Sequence, residues 1–124
     1  MIIGHATGIV LAAGGSPFQA VFATSGLAVG NMLGGLCAGF LADRIAMVRL
    51  LDGIPAITVL ALLGALVFPA PAGVIVALVV AGMSYGALIA AYPAAVVVAA
   101  GPDAAPRIYG QVFIAWGVAG LYTP

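Results

Sequence analysis

The chain has 124 residues, of which 65% are hydrophobic and 5% charged, with a formal net charge of zero and a mean hydropathy of +1.33. Soluble domains are roughly 45 to 50% apolar and about 25% charged, so composition excludes a water-soluble fold. The single cysteine, Cys37, excludes a disulfide scaffold, no Cys/His set is available for zinc, and zero net charge argues against nucleic acid as a partner.

The six charged residues lie in two places: Asp43, Arg44, Arg49 and Asp52 in one, Asp103 and Arg107 in the other. Residues 1 to 42, 53 to 102 and 108 to 124 contain no Asp, Glu, Lys or Arg. Apolar runs of ~20 residues and more are what a bilayer asks of a spanning helix, so the lipid bilayer is the first partner the sequence implies. The first apolar stretch has no basic residues before it, which makes a signal peptide a poor reading.

As one helix, residues 1 to 42 would run about 60 Å, twice the ~30 Å hydrocarbon thickness, so they must fold back. Gly14-Gly15-Ser16-Pro17 is the expected break, with Pro17 suited to open the next helix. The first predicted helix is therefore residues 1 to 13 and the second 17 to 42. The charged stretch 43 to 52 is expected as a loop, followed by a third helix over 54 to 68. Phe68-Pro69-Ala70-Pro71-Ala72-Gly73 divides the second long run, giving a fourth helix over 72 to 100. Asp103 to Pro106 forms a turn, and a fifth helix follows over 106 to 122. The expected fold class is all-α, a polytopic transmembrane bundle of about five helices. The first segment is shorter than the ~17 residues that crossing needs, and the last stops at Thr123-Pro124, so a piece of a longer polytopic protein is expected.

If helices two, three and four each cross, Arg44, Arg49 and Arg107 emerge on one side, which the positive-inside rule makes cytoplasmic. The turns on the other side, 14 to 17 and 69 to 71, carry no charge. Helix two presents Gly26, Gly30 and Gly34 at four-residue spacing, continued by Ala38 and Ala42, and helix four presents Gly82, Gly86, Ala90 and Ala94. Such smooth faces let helices approach closely.

The stretch Gly39-Phe40-Leu41-Ala42-Asp43-Arg44 resembles the G-x-L-A-D-R-x-G-R-R signature of major facilitator superfamily transporters. Downstream the match fades: Ala46 replaces the motif's Gly, Met47 and Val48 stand where basic residues are usual, and Arg49 remains. The resemblance implies that Asp43, just past a helix end, faces the positive N-terminus of a helix in the other half-domain and holds one conformation of the carrier closed. Gly39, Asp43, Arg44 and Arg49 are then a conformational-gating motif.

A second stretch is more specific. Tyr85-Gly86-Ala87-Leu88, Tyr92-Pro93-Ala94 and the run from Tyr109 through Trp116 to Gly120 resemble the tenth and eleventh helices of the oxalate/formate antiporter family. That likeness implies that residues 1 to 124 are part of a C-terminal transmembrane half-domain, from the end of helix seven through helix eleven. A missing N-terminal half-domain would be its partner and a small-molecule substrate its cargo. The family's oxalate carriers place basic residues where this chain has Leu33 to Leu36 and Ala115-Trp116-Gly117, and an acidic residue common in the family falls at Val98 here. Oxalate itself is therefore disfavoured.

Polar side chains deep in hydrocarbon usually face a cavity or another helix. Counting ~1.5 Å per residue from the loops puts Asn31, Tyr85 and Trp116 about 15 to 20 Å deep, so all three are substrate-cavity candidates. Tyr92 shares a helix face with Tyr85, and His5, the only histidine, is an ionisable group inside a membrane segment, so both join them. Pro93 removes one backbone bond from its helix. The expected function is a secondary transporter in the cell (inner) membrane moving a small organic anion or similar metabolite by alternating access, with no cofactor. The alternative is a small complete membrane scaffold or assembly subunit. An enzyme is disfavoured because no nucleophile-base pair or metal set is present.

Single cysteines replacing Arg49 and Asp103 in a Cys37-free background are expected to react only with reagents admitted to the cytoplasm. Labelling of either by a periplasm-restricted maleimide overturns the orientation.

Overall fold

The computed structural model describes residues 2–68 and 70–121, and every regular element among them is helical. In chain order these are α1 (Ile2–Ala12), α2 (Pro17–Ala42), α3 (Met47–Val67), α4 (Pro71–Ala100) and α5 (Ala105–Leu121). Met1 and residues 122 to 124 at the chain's ends, and Pro69 at the expected break, lie outside the described residues. α2, α3 and α4, with 26, 21 and 30 residues, are long and apolar enough to cross a membrane. α1 and α5, with 11 and 17, are shorter.

Local chemistry explains most of the boundaries. α1 stops at a glycine in the left-handed region, Gly14 (φ +81°), where Gly14 N–H donates to the Leu11 carbonyl and Gly15 N–H to the Val10 carbonyl, at 3.0 and 2.9 Å. This pair of bonds is the Schellman termination, and it satisfies carbonyls that a helix end leaves free. α2 then opens with a reciprocal cap: Gln19 N–H donates to Ser16 Oγ while Ser16 N–H donates to Gln19 Oε1, and Pro17 takes the first turn. α4 ends similarly at Gly101 (φ +80°), whose N–H donates to the Val97 carbonyl.

The third helix corrects the expected loop. Its start is Met47, not residue 54, and the turn from α2 is only residues 43 to 46. Arg49 and Asp52 are therefore on the first turns of α3, exposed, while Leu50 and Ile54 on the same turns are buried. Spacing of i and i+4 puts the two buried residues on one face, so these turns are amphipathic and sit where a charged rim can reach water. Pro55 lies inside α3.

The chain divides into two compact units, residues 1–91 and 92–124. In the first, two clusters of mostly small residues form the core. Ala6 and Val10 of α1 pack with Ala20, Ala23 and Leu27 of α2 and with Val74 and Leu78 of α4. Ala38 of α2, Leu50 and Ile54 of α3, and Ala87 and Ala91 of α4 form the other.

Between these clusters the backbones of α2 and α4 touch. A Cβ added to Gly30 would lie 2.6 Å from the Val79 carbonyl oxygen, and one added to Gly34 would overlap the Met83 carbonyl. Reciprocally, a Cβ on Gly82 would overlap the Leu27 carbonyl and one on Gly86 the Asn31 carbonyl. Residue numbers rise together along both helices, so α2 and α4 run parallel, and α3 connects them by running back antiparallel to both. Large apolar side chains such as Phe18, Phe22, Leu60 and Leu66 point outward. That is how a bundle in acyl chains is built, where close backbone packing rather than water exclusion brings helices together.

Gly34→Ala and Gly86→Ala are each expected to destabilise the first unit by ~1–3 kcal/mol, the usual cost of overpacking. Gly64→Ala, where nothing lies within 4 Å of the added Cβ, is expected to be neutral or slightly stabilising. Thermal unfolding in detergent micelles reads the difference.

Candidate functional site

The α2–α4 register decides which polar residues meet. Asn31 is half-buried, and both its backbone oxygen and its Oδ1 lie against Gly86. Tyr85, also half-buried, precedes Gly86, so its Cα is within about 1.5 Å, one residue's rise, of that level. Asn31 and Tyr85 thus share one depth of the first unit. His5 is exposed on α1, beside the packed Ala6. α1 is further joined to α2 by the hydroxyls of Thr7 and Thr24, 3.4 Å apart.

Tyr92 and Trp116 belong to the second unit. Both are exposed, at 47% and 56%. Trp116 ends an aromatic ladder on α5: Tyr109 and Phe113 have ring centroids 5.1 Å apart, and Phe113 and Trp116 5.7 Å, with tilted planes. The spacing of 109, 113 and 116 marks one helix face and was available in the sequence as a signal. A hollow of about 240 Å³ in this unit is lined by Pro93, Val97, Pro102, Ala105, Pro106 and Tyr109.

Gly39, Asp43, Arg44 and Arg49 lie around the end of α2 and the start of α3. Asp43 is the C-cap residue, exposed, with its backbone N–H donating to the Leu41 carbonyl. The Arg44 guanidinium sits 4.2 Å above the Phe40 ring centre, a cation–π contact one turn back along the helix. Gly39 is exposed and an added Cβ would meet nothing within 4 Å, while Arg49 projects from the first turns of α3. Asp43 is thus held at the helix end by its backbone and is exposed.

α2, α3 and α4 leave a groove of about 200 Å³ lined chiefly by apolar residues, including Cys37, Ile54, Ile57, Val80 and Met83, with Ser84 in its wall. Ser84 is the buried polar residue of the described set, 8% exposed. Its hydroxyl looks like that of any serine in sequence, and only the packing of three helices makes it distinctive.

Among the described residues no three His, Cys, Asp or Glu side chains gather to hold a metal. Neither α2 nor the α4 segment of the first unit carries a basic residue along its length. These helices alone offer an anion amide and phenol groups, not a buried cation. No family model, curated protein or solved structure matches the chain.

Asn31→Leu, which replaces the amide packed on Gly86 by a branched apolar group, is expected to destabilise the first unit by ~1–3 kcal/mol through strain at the backbone contact. Asn31→Ala is expected to cost less. Equal costs for the two variants in detergent unfolding would show that the Asn31 side chain is not confined there.

Proposed function

We propose that the chain is a segment of a secondary active transporter of the major facilitator type, one that moves a small organic anion or similar metabolite across the cell membrane by alternating access. The observation that carries this reading is the stretch Gly39 to Arg44 at the end of a long apolar helix, with a turn of only four residues leading into the next. In the resembling family an acidic residue at that position, past its helix end, pairs with a helix N-terminus in the other half of the carrier. An exposed Asp43 at the C-cap of α2 is suited to such a pairing.

Two further features support it. Asn31 and Tyr85 supply an amide and a phenol at one depth, well inside the apolar length of α2 and α4, where hydrogen-bonding groups have few other uses. The lack of a basic residue within these helices favours a cargo of low charge, or a cation supplied by the half-domain that lies outside this sequence. On this reading the genomic reading frame upstream encodes about seven more helices.

In the full-length carrier so defined, Asp43→Asn is expected to slow transport at least tenfold while leaving equilibrium substrate affinity within about threefold, because the residue biases a conformational equilibrium. Asn31→Ala and Tyr85→Phe are expected to weaken affinity itself. Substrate uptake and binding measured on the same proteoliposomes separate the two effects. Loss of binding in Asp43→Asn, or an upstream frame without membrane helices, overturns the reading.

A further inference from the structure

The threonine hydroxyls of the spanning helices are bonded to their own backbone, and one buried serine hydroxyl is not. Thr24 and Thr58 donate to the carbonyls of Ala20 and Ile54, each 3.0 Å away and one turn back, which is how hydroxyls are silenced inside membrane helices. Ser84 does not. It is more than nine-tenths buried and its hydroxyl makes no hydrogen bond, yet no unpaired side-chain oxygen among the described residues is sealed off completely. The Ser84 hydroxyl therefore opens onto free space, and the space it lines is the groove between α2, α3 and α4.

That groove lies deep. Ser84 is about 20 Å from the start of α4, and the adjoining Met83 meets Gly34, about 12 Å from the end of α2, so the hydroxyl is well inside a ~30 Å hydrocarbon layer. Phospholipid ester carbonyls stay near the interface and do not reach it. Acyl chains reach it but carry no acceptor. An unpaired hydroxyl in hydrocarbon is costly, so a molecule bringing an acceptor to this depth is favoured over lipid.

The walls set the rest of the chemistry. They hold no charge, the Asp and Arg side chains of the first unit being confined to residues 43 to 52, so the occupant is neutral. About 200 Å³ is below the ~300–1,000 Å³ of drug-sized sites, which limits it to a single ring or a medium-length chain. We propose that the groove between α2, α3 and α4 is a binding site for a small neutral amphiphile, of the size of a medium-chain alcohol or simple phenol, that enters from the bilayer and hydrogen-bonds Ser84. This site is separate from the anion cargo and does not depend on transport.

The test is photolabelling of the protein in lipid nanodiscs with a diazirine-bearing 1-octanol, with adducts mapped by mass spectrometry. Adducts are expected on Cys37, Ile57 and Met83, suppressed by excess 1-octanol but not by octane. Ser84→Ala is expected to lower them about threefold, the scale of one interhelical hydrogen bond, while labelling at the outward-facing Leu66 and Val67 is unchanged. Ile57→Trp, which fills the groove and keeps Ser84, is expected to abolish them. If octane competes as well as 1-octanol and Ser84→Ala has no effect, the groove is ordinary lipid contact and the proposal fails. It fails equally if the groove residues stay unlabelled, or if Cys37 forms a disulfide with a second copy in the native membrane, since the groove is then a helix interface.

Discussion

The closeness of α2 and α4 is the constraint on which the rest of the first unit depends. Gly30 and Gly34 on one helix and Gly82 and Gly86 on the other leave room for the carbonyls of Val79, Met83, Leu27 and Asn31. At such separations Cα–H groups point at carbonyl oxygens across the interface, a weak bond made repeatedly, and many backbone atoms come into dispersion contact. Both terms survive in a bilayer, where burying a leucine against another helix gains little over burying it against lipid. Any side chain at these glycines would separate the helices along their whole contact.

The outer helices attach to this pair in different ways. α1 reaches it through Ala6 and Val10, which pack on Ala20, Ala23 and Leu27 at one end. α3 reaches it through Leu50 and Ile54 at the other end, and beyond Ile57 its large residues Leu60, Leu63 and Leu66 are exposed. The groove lies where α3, packed through its first turns and again at Ala65, stands off the locked pair of α2 and α4. One geometry therefore produces both the shared level of Asn31 and Tyr85 and the opening in front of Ser84.

Much of the candidate site was legible in the sequence, but not its assembly. Deep polar residues are conspicuous in an apolar chain, so Asn31 and Tyr85 could be named from composition and depth alone. That Asn31 lies against Gly86 follows from helix register, which hydropathy does not encode. Trp116 is the opposite case: the spacing of Tyr109, Phe113 and Trp116 already marks one helix face, and the ring ladder follows from it. Ser84 gave no signal, since serine is common in membrane helices and usually bonds its own backbone.

What the sequence by itself determined is the membrane class, the number of helices and most of their ends. Those are local matters: an apolar run too long for one crossing must break, and Ser16, Pro17, Gly14 and Gly101 carry the turn chemistry where it does. The start of α3 was not local. Charged Arg49 and Asp52 and the helix-opening habit of Pro55 all favour a loop, and they are outweighed by Leu50 and Ile54 packing on Ala38, Ala87 and Ala91. Only the tertiary structure could decide that, because the energy lies in a contact between residues some forty positions apart. The pairing of particular glycines with particular carbonyls was settled in the same way, since a stripe of small residues permits several registers and only the packed pair selects one.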